Sequence, residues 1–489
     1  MKFRGALNLK PGLQTAARVL CCSLLILSAW VAFAAPGAKA ESEWSTPKVV
    51  FRTDSYATRP RLVADATGDV HLFFFLRQAS DTPDGSSTMI MYSRLHDGAW
   101  SSPVDVLVGA GTNAPTVVVD QRGMLHVVWE GGPKGEILYS RAHVSQAGSA
   151  RGWSTPRLLS EPSAYDSDIQ VSDDGTLHLV YSTKSGNVWY QESRDSGTTW
   201  SSPLIVAETE TPGCTTNNPR LAVDSAGGLH AAWTELQLPT GWPPCGALYS
   251  DSLDGGKTWS SPVRIAGPGY GQINVLANGA SNLMLAWNAM VAIGERKFTR
   301  SIDGGFGWAA PQYLSIKLRG GFTGIPSMAT DSAGMVHLVT AVDRPRGESM
   351  AVYYLTWNGM TWSDPVLVSM GALGLRSVEL PWIVVSNGNQ LHVVYEDDFQ
   401  RIWYTTRTVS APQIPAQPLP TPALTGAAAR EAEASPTPIP PTPLPDLSGL
   451  PAITAPPVPM RDTFLIGMAP VAAIVGLVVA GRLLQRLRE

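Results

Sequence analysis

The sequence predicts an all-β fold, a seven-bladed β-propeller of four-stranded blades, and three observations predict it. First, one phrase recurs around His71, His126, His178, His230, Met284, His337 and His392, at steps of 52 to 55 residues. Its clearest copies begin Pro219-Arg-Leu-Ala-Val-Asp-Ser-Ala-Gly-Gly-Leu-His230 and Ile325-Pro-Ser-Met-Ala-Thr-Asp-Ser-Ala-Gly-Met-Val-His337. Second, each unit divides into four short apolar-alternating runs separated by turn residues. In the fourth unit these run from Pro219 to Asp224, Leu229 to Thr234, Ala247 to Asp251 and Trp259 to Ile265, and are named A to D outward from the axis. Third, Trp-Ser-x-Pro-like D strands start at Trp44, Trp100, Trp153, Trp200, Trp259, Trp308 and Trp362. The first precedes any A strand, and the last A–B–C set has no D strand after it. Glu43 to Phe51 is therefore expected to complete the seventh blade and hide both edges.

The C–D connection carries its own signature. Ser193-Arg-Asp195-Ser-Gly197-Thr-Thr-Trp200, Ser252-Leu-Asp254-Gly-Gly256-Lys-Thr-Trp259 and Ser301-Ile-Asp303-Gly-Gly305-Phe-Gly-Trp308 all fit Ser-x-Asp-x-Gly-x-x-Trp. A carboxylate accepts turn N–H groups, Gly takes positive φ, and Trp fills the space between strands. On these copies, residues 44 to 407 resemble the sialidase superfamily, whose Asp-box repeats stand in this hairpin. The resemblance implies that Asp195, Asp254 and Asp303 are turn hardware on the face opposite the ligand site. It also implies six blades, where the repeats here count seven.

With the A–B and C–D turns on one face, the B–C and D–A loops share the other, and residues that break the repeat gather there. Glu130, Glu235 and Glu396-Asp397-Asp398 follow B strands; Arg59, Tyr165, Asp166, Asp168, Asn217, Asn218, Tyr270 and Arg376 come from D–A loops. Sialidase chemistry uses three arginines on a carboxylate, a Tyr nucleophile activated by a Glu, and an acid Asp. The resemblance carries this onto Arg59 and Arg61 in Thr58-Arg-Pro-Arg61 and Asp81 in Arg77-Gln-Ala-Ser-Asp81; Glu235 and Tyr270, which flank neighbouring blades, are the candidates for the Glu–Tyr pair, in an order along the chain that departs from the family's. Arg296 and Arg376 complete the candidate clamp, with Glu130 and Glu396 as further substrate contacts. Alignment on the prolines places Thr58 where the family has its first arginine, so Arg59 points to the other face unless a bulge intervenes.

Two cysteines, Cys214 and Cys245, lie in the body of the chain and are expected to form a disulfide bracing the longest B–C loop. No metal or other cofactor is expected: the strand-B histidines point in rotated directions and suit packing or hydrogen bonding between blades.

Residues 1–40 have the charge, apolar run and Ala38-Lys-Ala40 site of a secretory signal peptide, which leaves the propeller at 41–409. The proline-rich stretch 410–461 suits an extended stalk. Within 462–482 the uncharged run Phe464 to Gly481 has the length of a single membrane span, and arginines in the 483–489 tail place the C-terminus in the cytoplasm. A net charge of −4 without a basic face excludes nucleic acid. The expected protein is a membrane-anchored, cell-surface propeller recognising extracellular glycan or another surface polymer. The alternatives are an active exo-α-sialidase or other glycoside hydrolase, and a protein-interaction platform in envelope assembly.

Overall fold

The computed structural model describes residues 43–420 except 80–85, 110–114, 133, 210, 291–294, 315–323, 343–350, 371–377 and 399. The segment expected to be a signal peptide, most of that expected to be a stalk, and the apolar run 464–481 lie outside the described residues. Among those described, no helix is long and apolar enough to cross a membrane.

Seven antiparallel sheets form the blades. Their innermost strands are Tyr56–Ala64, Thr116–Val119, Ala164–Val171, Cys214–Val223, Tyr270–Asn278, Ser327–Thr330 and Val378–Ser386, numbered here as the A strands of blades 1 to 7. Six blades run A-B-C-D outward in chain order; in blade 7 the outer place is taken by Lys48–Arg52, paired antiparallel with Arg401–Thr408. The N-terminal closure expected from the unpaired Trp44 is therefore present.

The repeated histidine belongs to a hydrogen-bonded chain. In blade 4, Nδ1 of His230 lies 2.8 Å from the Tyr249 hydroxyl and Nε2 lies 3.2 Å from Asp224 of the A–B turn. His71 and His337 repeat the Asp–His–Tyr chain, His126 bonds Tyr139 with its Nε2 3.5 Å from Asp120, and Ser172 and Ser386 replace the Asp beside His178 and His392. The histidines thus bond within a blade, and it is the tyrosine that reaches the next one. Tyr190 packs edge-on against Trp259 at 5.5 Å, and Tyr249 against Trp308 at 4.9 Å. The tryptophans consequently fill seams between blades rather than between strands. Blade 5 replaces the polar set together, with Met284 for His and Phe298 for Tyr, leaving no polar atom of the relay stranded in an apolar seam.

The Ser-x-Asp-x-Gly turns match their expected role. Asp254 accepts from Ser252, Lys257 N and Thr258 N, and these bonds, led by those from Thr258, hold its carboxyl down at about 2. Asp195 and Asp303 make the corresponding turn bonds.

Beyond blade 7 the chain does not leave the propeller at residue 409. Val409 N donates to Asn389 O, Ile414 N to Asn387 O at 2.8 Å, and Gln417 N to Ala66 O at 2.7 Å. Ala411 is buried in the blade 6–7 core, and Leu419 packs beside Gly123 in the blade 1–2 core. Residues 409–420 thus form a strap in an arc over the A–B turns of blades 7, 1 and 2, and Ser332 of blade 6 donates to Pro412 O. The described chain ends on this A–B face.

Burial pushes His178 down to about 4 and His392 to about 3. Each imidazole is held neutral, so its contribution is full above the unfolded value near 6.5 and is lost as pH falls toward the folded one, by about 1.4 kcal/mol per pH unit each. Stability is therefore expected to fall steadily below pH 6.5. Installing blade 5's choice in blade 7, His392→Met with Tyr404→Phe, should flatten that slope by one proton's share in urea melts at stepped pH. An unchanged slope contradicts the assignment.

Candidate functional site

Among the described residues, five A strands carry a bulge at the same step. Arg59, Asp166, Asn218, Gln272 and Leu380 have φ between 42° and 59°, and the register against strand B slips at each of them. Left-handed backbone costs an L-residue about 1–2 kcal/mol, so five aligned instances mark a device that re-aims side chains. Each bulge N–H that has a described partner is taken by a polar side chain of the preceding blade: Arg59 N by Glu396 at 2.6 Å, Asn218 N by Asp166 at 3.0 Å, Gln272 N by Thr234 at 2.9 Å.

Two residues further along, Arg61, Thr116, Asp168, Arg220, Asn274, Ser327 and Trp382 occupy one register position around the axis. They join successive blades. Asp168 accepts Leu221 N at 2.9 Å and stands 3.9 Å from Arg220, Asn274 donates to Pro326 O, and Arg61 lies over the Trp382 ring at 4.0 Å. The Arg61 guanidinium is buried, and its pKa is lowered first by that burial, then by the nearby charges of Arg220 and Arg59; Asp168 and Glu396 act the other way. Burial likewise raises the carboxyls of Asp166 and Asp168. Three arginines and three carboxylates thus converge where the B–C and D–A loops surround the axis. Arg59 is the half-buried outer member, above Arg61 and Arg220.

The structure distributes the other sequence-derived candidates differently. Glu396 joins the axial group, and Glu130 ends its B strand half-buried. Glu235 is not a loop residue: it lies in strand Leu229–Gln237, fully buried, accepting from Thr211 at 2.5 Å and standing 3.4 Å from Arg264. Directly beside it, the Cys214–Cys245 disulfide joins the starts of strands A and C of blade 4. Tyr270 turns from Glu235 toward its own blade, donating to Glu295 at 2.8 Å and accepting from Lys297 at 3.0 Å. Arg296 is a brace, 2 % exposed and bonded to Thr340 and Ala341 O of blade 6, and burial brings it down to about 10. Asp81 and Arg376 lie outside the described residues. Among those described, no group of three or more His, Cys, Asp or Glu is arranged to hold a metal.

Sequence reasoning missed Arg220. Its signal was available: Arg220 follows Pro219 as Arg61 follows Pro60.

The architecture is a β-propeller whose irregular face surrounds a charged axis. No family model matches the chain, and no curated protein matches it. Among solved structures it is similar to an ulvan lyase, a polysaccharide lyase bound to -[GlcA(1-4)Rha3S]-, with 12 % identity over 74 % of this chain and 95 % of that one and a TM-score of 0.50. It is also similar to a protein of unknown function from Dyadobacter fermentans (15 % identity, 75 % and 99 % covered, TM-score 0.46) and to the NanB sialidase of Streptococcus pneumoniae (12 %, 74 % and 70 %, 0.43). At these identities the likeness is one of fold.

Proposed function

We propose that this protein is a cell-surface propeller that recognises an extracellular glycan bearing carboxylate or sulfate groups, through the axial arginines on its B–C and D–A face. The observation that carries the proposal is the convergence of half-buried Arg59 with Arg61 and Arg220 at the axis. A guanidinium is the preferred partner of a planar anion, because its fork of donors matches two oxygens at once. The counter-charges of Asp168 and Glu396 keep the buried group near neutral, so the site suits a sugar that offers hydroxyls as well as an anion. The similar ulvan lyase holds such a polymer, one of glucuronate and sulfated rhamnose. The strap also fits: the described chain ends on the A–B face, opposite the proposed site.

An array of acidic and neutral glycans tests this. Arg59→Asn copies Asn218, which already occupies the bulge in blade 4, so the fold is retained. It is expected to weaken binding of acidic glycans about ten- to a hundredfold, the worth of a charge-assisted hydrogen bond. A wild-type protein that binds none of the array contradicts the proposal. Release of a fluorogenic sialoside would instead establish the hydrolase reading.

A further inference from the structure

Blade 5 carries a second polar cluster on the same face, away from the axis. Its strands C and D are Arg296–Ser301 and Gln312–Tyr313. Lys297 faces Trp287 of strand B and Tyr313 of strand D. In the other six blades the matching position holds Met91, Leu138, Trp189, Leu248, Tyr353 and Trp403. One lysine therefore replaces an apolar or aromatic residue that the repeat otherwise supplies, and repeat-breaking polar residues mark function more often than packing.

The ammonium is held in place from several sides. It lies 4.5 Å from the centroid of the Tyr270 ring and 4.7 Å from that of Tyr313, 3.0 Å from the Tyr270 hydroxyl and 3.8 Å from Glu295. The Tyr270 hydroxyl in turn donates to Glu295, which fixes the carboxylate. Such a sandwich orients a flexible side chain before any ligand arrives. The cluster is nonetheless open: Tyr313 is 61 % exposed, and the Lys297 and Glu295 side chains keep 20 % and 36 % of their surface.

We infer that Tyr313, Lys297 and Glu295 form a rim subsite for one pyranose ring of a glycan chain, the exposed edge of the Tyr313 ring packing on the sugar's C–H groups. An ammonium donates and a carboxylate accepts, so the pair bridges two neighbouring hydroxyls of that ring. This rests on the glycan reading above and extends it: the ligand is a chain long enough to reach from the axis to the edge of blade 5, not a single terminal sugar.

The test uses the full-length protein and acidic and neutral oligosaccharides graded from disaccharide to hexasaccharide. Lys297→Met is suited to it because Met91 fills the same position in blade 1. Tyr313→Ala removes the platform from an exposed position, and melting temperatures verify that both variants remain folded. Wild-type affinity is expected to rise with chain length, and each variant to lose about tenfold on the longer members while binding the short ones unchanged. If both variants bind long chains as wild type does while Arg59→Asn weakens them, the rim subsite is overturned and the axial site stands. If wild type binds no oligosaccharide of any length, the glycan reading falls and the rim subsite with it.

Discussion

Removing residues 43–52 is expected to lower the melting temperature of the whole propeller in one cooperative step. Lys48–Arg52 pairs with Arg401–Thr408, and Trp44 stands edge-on to Tyr354 at 5.2 Å, filling the blade 6–7 seam as Trp259 fills that between blades 3 and 4. Phe51 packs on Phe74 of blade 1 at 4.9 Å. Loss of the segment strips apolar contact from the seams on both sides of blade 7 and leaves an unpaired strand edge. Burial of aromatic and aliphatic side chains at roughly 1.5–3 kcal/mol each sets a loss on the order of 5 kcal/mol. Differential scanning calorimetry of the truncated protein checks this. A melting transition unchanged in position would mean that the ring is closed by something else, with the strap the first candidate.

Gly256→Ala is expected to cost roughly 3 kcal/mol or more, combining left-handed backbone with overpacking. Gly256 has φ +90°, and a Cβ there would stand 2.3 Å from the Tyr190 ring of the preceding blade. The neighbouring Gly255→Ala is the control. It has φ +73° but open space around its Cβ, so only the backbone cost of about 1–2 kcal/mol applies. Equal destabilisation of the two variants, measured by urea titration, would contradict the claim that this turn docks on the preceding blade's tyrosine.

How much was legible in the sequence follows from what kind of order each feature has. Blades, turns and closure repeat, so seven copies of one pattern exposed them, and even the substitution of Met284 and Phe298 is visible as a break in register. The disulfide was legible because the body of the chain offers one pairing. The axial site was not, because it depends on bulges at Arg59, Asp166, Asn218, Gln272 and Leu380, residues with no shared composition to announce left-handed backbone. The bulge sets the Arg59 N–H on Glu396, and the Arg59 charge acts on Arg61 at the same centre. Glu235 looked like a loop residue because strand B of blade 4 continues past its apolar run to Gln237. Tyr270 found Glu295 rather than Glu235 because strand C of its own blade brings that carboxylate alongside. The strap was hidden by composition: proline-rich sequence reads as stalk, yet the N–H groups of Val409, Ile414 and Gln417 dock on turn carbonyls.

The face on which ligand binds is the centre of the account, and a crystal structure of the protein with the tightest oligosaccharide from the array tests it most directly. The expected density lies over the axis among the B–C and D–A loops, with an anionic group of the sugar on Arg59. Density seated on the A–B and C–D turns, against Asp195, Asp254 or Asp303, would contradict the account.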